Sequence, residues 1–182
     1  MSHPCTTVAL FADHLQTEAG VRALQQGGFD LRKLSIIGKN YHKEEHVTGL
    51  IDRGDGTRYW GRFGSLWASL HGGVVGSSAL LLFPGVGQVV ILGPLVNHMA
   101  GALASAGAGA LADTFSSLGL SRDAALRYDS AVRAGRFAVM VHGSRGEAEA
   151  AGRLLECAGA AVLEIDGRPV DAFTMARPWA PQ

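Results

Sequence analysis

The chain has 182 residues, with 16 lysines and arginines against 16 acids and a hydrophobic content of 47%. The zero net charge excludes a nucleic-acid binder that works through bulk charge, and the apolar content excludes a disordered chain. Its 2 cysteines, Cys5 and Cys157, are too few for a disulfide framework or an all-cysteine zinc site.

The start of the chain reads as a βαβ unit. Thr6-Thr7-Val8-Ala9-Leu10-Phe11 is β-rich and bounded by polar residues, which predicts a strand. Asp13 stands three residues before Gln16 and opens a helix carrying Leu15, Ala19, Ala23 and Leu24 at helical spacing, and Gly27-Gly28 stops it. Lys33 to Gly38 is the second predicted strand. Met1 to Cys5 has no basic n-region and Val8–Ala12 is too short an apolar run for a secretory signal, so both ends of the chain are expected to stay in the compartment of synthesis.

The middle obeys a different rule. No Asp, Glu, Lys or Arg occurs from Phe63 to Ala112, a run of 50 residues, whereas residues 1–62 carry eight basic and seven acidic side chains and residues 113–182 carry eight and nine. Phe83-Pro84-Gly85-Val86-Gly87 reads as a turn between two apolar stretches. The first, Phe63 to Leu82, would span roughly 30 Å as a helix, the thickness of a bilayer core. Small residues recur in it every fourth place, with Gly64, Ala68, Gly72 and Gly76 on one stripe and Ser65, Ser69, Gly73 and Ser77 beside it. The second, Gln88 to Ala112, repeats the pattern with Gly93, Gly101, Ser105 and Gly109. Such stripes let helix backbones approach closely where water cannot drive association, so a glycine-zipper helical hairpin is expected here. Glycine costs about 1 kcal/mol against alanine inside an aqueous helix, so close packing in lipid or in an oligomer core must compensate. If the hairpin crosses the membrane, both α/β halves lie on one side, and Arg53, Arg58 and Arg62 before it with Arg122 and Arg127 after it predict that this side is the cytoplasm.

Past the hairpin, Ser121 caps a helix running to Ala134, and Arg136 to His142 forms a third strand. Ser144 and Glu147 make a capping box for the next helix, Gly159 closes it, and Ala161 to Ile165 forms a fourth strand. The order predicts an α+β fold: a ferredoxin-like βαβ–βαβ sheet with its helices on one face and the glycine-rich hairpin inserted. The divisions are residues 1–62, 63–115 and 116–167, with an irregular tail over 168–182.

Three pieces carry a family resemblance. They are Val47-Thr48-Gly49-Leu50 through Gly54-Asp55 to Arg58-Tyr59-Trp60-Gly61; the turn at Phe83–Gly87 followed by Gly93-Pro94-Leu95; and Leu118-Gly119-Leu120 with Arg127-Tyr128-Asp129, Ala131-Val132 and His142-Gly143. Together they resemble the bacterial general-stress-protein-like family of unknown function, over roughly residues 35–145. The resemblance implies a stress association, a membrane location and no catalytic residues to carry over.

Few constellations offer chemistry. His42 and His46 have i, i+4 metal spacing, but the order is not H-E-x-x-H and no third ligand is specified. His71 and His98 stand at similar distances from the turn on the two arms, a paired-histidine metal or proton site or a structural hydrogen bond. No catalytic group and no cofactor is expected. The leading expectation is a non-enzymatic, self-oligomerising, membrane-associated protein. The alternatives are a soluble homo-oligomeric ring or cage scaffolding a protein partner, and a histidine-based metal or small-ligand module.

Overall fold

The computed structural model describes residues 5–39, 78–83, 86–96, 110–165 and 168–169. Its elements in chain order are β1 (Cys5–Phe11), α1 (His14–Gln26), a 3-10 turn (Leu31–Lys33), β2 (Leu34–Lys39), β3 (Ser78–Phe83), β4 (Gly87–Leu92), α2 (Ala110–Ser117), α3 (Arg122–Arg133), β5 (Phe137–Gly143), α4 (Arg145–Cys157), β6 (Val162–Ile165) and β7 (Arg168–Pro169). The fold is α+β, built on one seven-stranded sheet of order β3-β4-β2-β5-β1-β6-β7. Every pairing in it is antiparallel.

The helix boundaries follow from local chemistry. The carboxylate of Asp13 accepts the Gln16 N–H, and the hydroxyl of Ser121 accepts the Ala124 N–H. Ser144 and Glu147 form the reciprocal capping box ahead of α4. Each cap satisfies amides that the first helical turn leaves without a partner. Gly28, Gly135 and Gly159 take positive φ where α1, α3 and α4 hand over to the next element, a conformation that costs glycine nothing.

Strand alternation sorts the core into two layers. Val8, Leu10, Ile37, Val89, Ile91, Ala138 and Met140 face α2 and α3, where they pack with Phe115, Ala125, Tyr128 and Val132. The residues between them in sequence, among them Ala9, Phe11, Ile36, Val90, Leu92, Phe137 and Val139, face α1 and α4, where they meet Val21, Leu24, Ala151 and Leu155. The sheet therefore carries helices on both faces, not on one as its βαβ halves suggested. The sequence pattern contains the second helical layer, but strand alternation alone does not say which face a given helix covers.

The uncharged middle also departs from expectation. Where a helical hairpin was predicted, Ser78–Phe83 and Gly87–Leu92 are strands, paired from Ser78 opposite Leu92 to Phe83 opposite Gly87. Strand β4 continues into the sheet against β2, with Ile36 opposite Leu92 and Lys39 opposite Val89. The physical reason is two-sided burial. Val89, Ile91 and Leu92 are fully buried, with Val89 and Ile91 on one face of the sheet and Leu92 on the other. A strand buried on both faces reads as a continuous apolar run without a period of two. The turn at 83–87 thus joins two strands. Residues 63–77 and 97–109, the rest of the predicted hairpin, lie outside the described residues. In the tail predicted to be irregular, Arg168–Pro169 forms the short β7 against β6.

Candidate functional site

One end of the sheet gathers the starts of β1 and β2 and the ends of β4 and β5. There the apolar alternation toward α2 and α3 gives way to polar side chains. Thr6 precedes Val8 on its face of β1, Ser35 precedes Ile37 on β2, and His142 follows Met140 on β5. Thr6 and His142 are cross-strand partners, and Ser35 lies opposite Met140 one pleat away.

These three side chains form one hydrogen-bonded chain. The Thr6 hydroxyl lies 3.2 Å from Nδ1 of His142, and the Ser35 hydroxyl lies 3.0 Å from Nε2. Hydroxyls donate or accept, so they serve either tautomer of the ring. Oγ of Ser35 also accepts the N–H of Leu95 at 3.2 Å. That bond fixes the turn after β4, in which Gly93 has φ +85° and its carbonyl accepts the Val96 N–H at 3.0 Å. Ser35 is fully buried, Thr6 is buried and His142 is half-buried.

A serine hydroxyl beside an imidazole is the contact that nucleophilic catalysis needs. Here the serine is sealed in the core at 0% exposure, with a backbone amide on its oxygen, so it is not presented to a substrate. What the arrangement does is join β1, β5, β2 and the turn after β4 through polar groups at the rim of an apolar core.

A second polar cluster lies on the same face at β6. Glu164, opposite Val8 on β1, is 3% exposed. Its Oε2 accepts the Tyr128 O–H at 2.5 Å and its Oε1 accepts an Arg127 N–H at 2.7 Å. Tyr128 is fully buried, and its ring packs 5.7 Å from that of Phe115, tilted by 60°. Burial, and after it the hydrogen bond to Glu164, raises the Tyr128 pKa well above the ordinary phenol value, so the donor keeps its proton. The cluster ties α3 to the sheet.

Beside the first cluster, the carboxylate of Glu147 accepts from Lys33 Nζ at 2.8 Å and from the Ser144 N–H at 2.8 Å. The Lys33 bond is the main cause that holds its pKa down to about 2, with the Ser144 bonds adding to it. It links the turn before β2 to the start of α4.

Of the glycines predicted to pack helices, Gly93 lies in the turn after β4 with a left-handed backbone, so it is a turn residue and not part of a helix stripe. Gly64, Gly72, Gly73, Gly76, Gly101 and Gly109 lie outside the described residues, as do His42, His46, His71 and His98. Among the described residues no three His, Cys, Asp or Glu side chains are grouped to hold a metal ion, and no helix is long and apolar enough to cross a membrane. Cys5 is buried and Cys157 is exposed. Sequence reading missed Thr6, Ser35 and His142. The available signal was a polar residue on the core-facing side at the end of each of three apolar strands.

Against family models, curated proteins and solved structures alike, the chain finds no match.

Proposed function

We propose that this chain is a non-enzymatic, self-oligomerising protein that associates with a membrane as a structural element or anchor, in the manner implied by its resemblance to the general-stress-protein-like family. The observation that carries the reading is the uncharged run of 50 residues with small residues at every fourth place. The strand pair within that run narrows where lipid contact belongs. Burial in the sheet accounts for the missing charge over residues 89–92 without any bilayer, and Ser78–Phe83 is the strand paired to them. The membrane reading therefore rests on residues 63–77, with Gly64, Gly72, Gly73 and Gly76, and on residues 97–109, with Gly101 and Gly109.

The α/β part is the platform for those segments. Its central order β2-β5-β1-β6, with α1 and α4 as the crossovers on one face, supports a ferredoxin-like arrangement. The buried Thr6–His142–Ser35 chain and the Tyr128–Glu164 contact support a rigid platform over a reaction centre, because each bonds its polar groups inward.

Fractionation tests the reading. Retention in the membrane pellet through alkaline carbonate washing is the expected result, and release into the carbonate supernatant overturns membrane association. The sheet burial of β4 favours a second reading, a soluble homo-oligomeric scaffold. Its signature is a discrete oligomer by light scattering without detergent. Metal analysis of the purified chain tests the histidine-module alternative.

A further inference from the structure

Among the described residues the sheet ends at β3 on one side and at β7 on the other, and the two ends are built differently. Strand β7 is two residues long, a charged Arg168 and a Pro169. Short length, charge and proline are the devices by which natural sheets blunt an edge. Strand β3 has none of them. It runs six residues, Ser-Ala-Leu-Leu-Leu-Phe, with no charge and no proline. It pairs with β4 residue for residue from Ser78 to Phe83, without the bulge that would twist an edge away. Alternate N–H and C=O groups of an antiparallel strand point away from its partner. Half of the β3 backbone groups therefore face outward, and no strand among the described residues takes them.

We propose that the outer edge of β3 pairs antiparallel with β3 of a second copy of this chain, about a two-fold axis that sets Leu81 opposite its own image. The proposal rests on the homo-oligomer reading and names its contact. In this register Ala79 lies opposite Phe83 of the second copy and Leu80 opposite Leu82, so residues of like parity, whose backbone groups point the same way, meet across the axis. Charge argues for an identical copy as the occupant. A two-fold contact sets every residue near its own image, so any charge at the axis meets a like charge. Strand β3 sits inside the run from Phe63 to Ala112, which holds no charged residue, on a chain of zero net charge. The usual electrostatic penalty of self-pairing is absent. The contact is isologous and closed: it consumes both long edges and leaves a continuous sheet that ends in β7 at each side.

The test uses the purified full chain. Light scattering follows its mass on dilution while amide exchange is read over Ser78–Phe83. The expected result is a twofold fall in mass, with alternate amides of β3 exchanging at least ~10-fold faster in the dissociated chain and interior amides of β1 and β5 unchanged. Leu82→Lys, which restores an edge charge, is expected to give half the wild-type mass at equal concentration with an unchanged circular dichroism spectrum. Should that variant fail to fold, the wild-type exchange measurement decides alone. An oligomer that dissociates with no change in β3 exchange overturns edge pairing and leaves self-association standing on another surface. A chain that is monomeric at every concentration overturns both, and a monomer in which every β3 amide stays protected overturns the edge contact.

Discussion

Replacing Tyr128 by phenylalanine removes one oxygen from the contact between α3 and β6 and leaves the rest of the side chain in place. The ring still packs against Phe115 at 5.7 Å, so no cavity opens. What disappears is the 2.5 Å hydrogen bond to Oε2 of Glu164, a carboxylate only 3% exposed. Arg127 continues to hold Oε1 alone. A hydrogen bond to a charged group contributes about 1.5–3 kcal/mol, and a buried acceptor left without its donor brings the full desolvation cost, so Tyr128→Phe is expected to lose ~2 kcal/mol in urea denaturation at pH 7. The pH dependence gives an independent arm. Burial first, and then Glu164, raises the Tyr128 pKa above the ordinary 10.0. Above pH 10 the unfolded hydroxyl releases its proton while the folded one retains it. The stability contributed by the neutral phenol is therefore fully present below pH 10 and falls above it, by ~1.4 kcal/mol per pH unit for one proton. The phenylalanine variant has no such proton, so the gap between the two proteins is expected to shrink above pH 10. A loss under ~0.5 kcal/mol at pH 7, or parallel stability curves above pH 10, would refute the reasoning.

Four further outcomes are expected. Ser35→Ala leaves the buried Leu95 N–H without its acceptor and removes the Ser35 hydroxyl from Nε2 of His142, at a cost of ~1–3 kcal/mol by chemical denaturation and with faster amide exchange at Leu95. Ser144→Ala removes the cap of α4 at ~1 kcal/mol. Because Glu147 is held down to about 2, the stability it contributes is present above its ordinary 4.5 and is lost as pH falls toward 2, and Lys33→Ala is expected to flatten that acid limb in thermal melts. Gly38 lies opposite Phe137, and a Cβ there would run into the Phe137 ring, so Gly38→Ala is expected to cost ~1–3 kcal/mol, with Phe137→Leu restoring part of it in the double variant.

What was legible in the residues was local. Asp13, Ser121 and the Ser144–Glu147 box mark helix starts because a cap satisfies amides two or three residues away, within reach of a short motif. The strands at β1, β2, β5 and β6 were legible because turn signals bound each apolar run. Strand β4 was not, because a short strand buried on both faces has the same apolar profile as a buried helix, and β3 shares its uncharged run. The strand that β4 pairs with on its other side, β2, lies 50 to 56 residues upstream in the register, from Lys39 opposite Val89 to Ile36 opposite Leu92, beyond any local signal. The candidate polar site was illegible for a related reason. Thr6, Ser35 and His142 are 29 to 136 residues apart and meet only through the strand order. Glu164 did leave a trace, a lone acid in the run Val162-Leu163-Glu164-Ile165, although nothing near it in sequence points to Tyr128.

Helical cover on both sides of the central strands has a consequence for recognition. Val8, Ile37, Ala138 and Met140 on one side, and Ala9, Ile36 and Val139 on the other, are at most 2% exposed. A planar guest such as a nucleobase or a flavin ring thus has no bare platform to stack on over β1, β2 and β5.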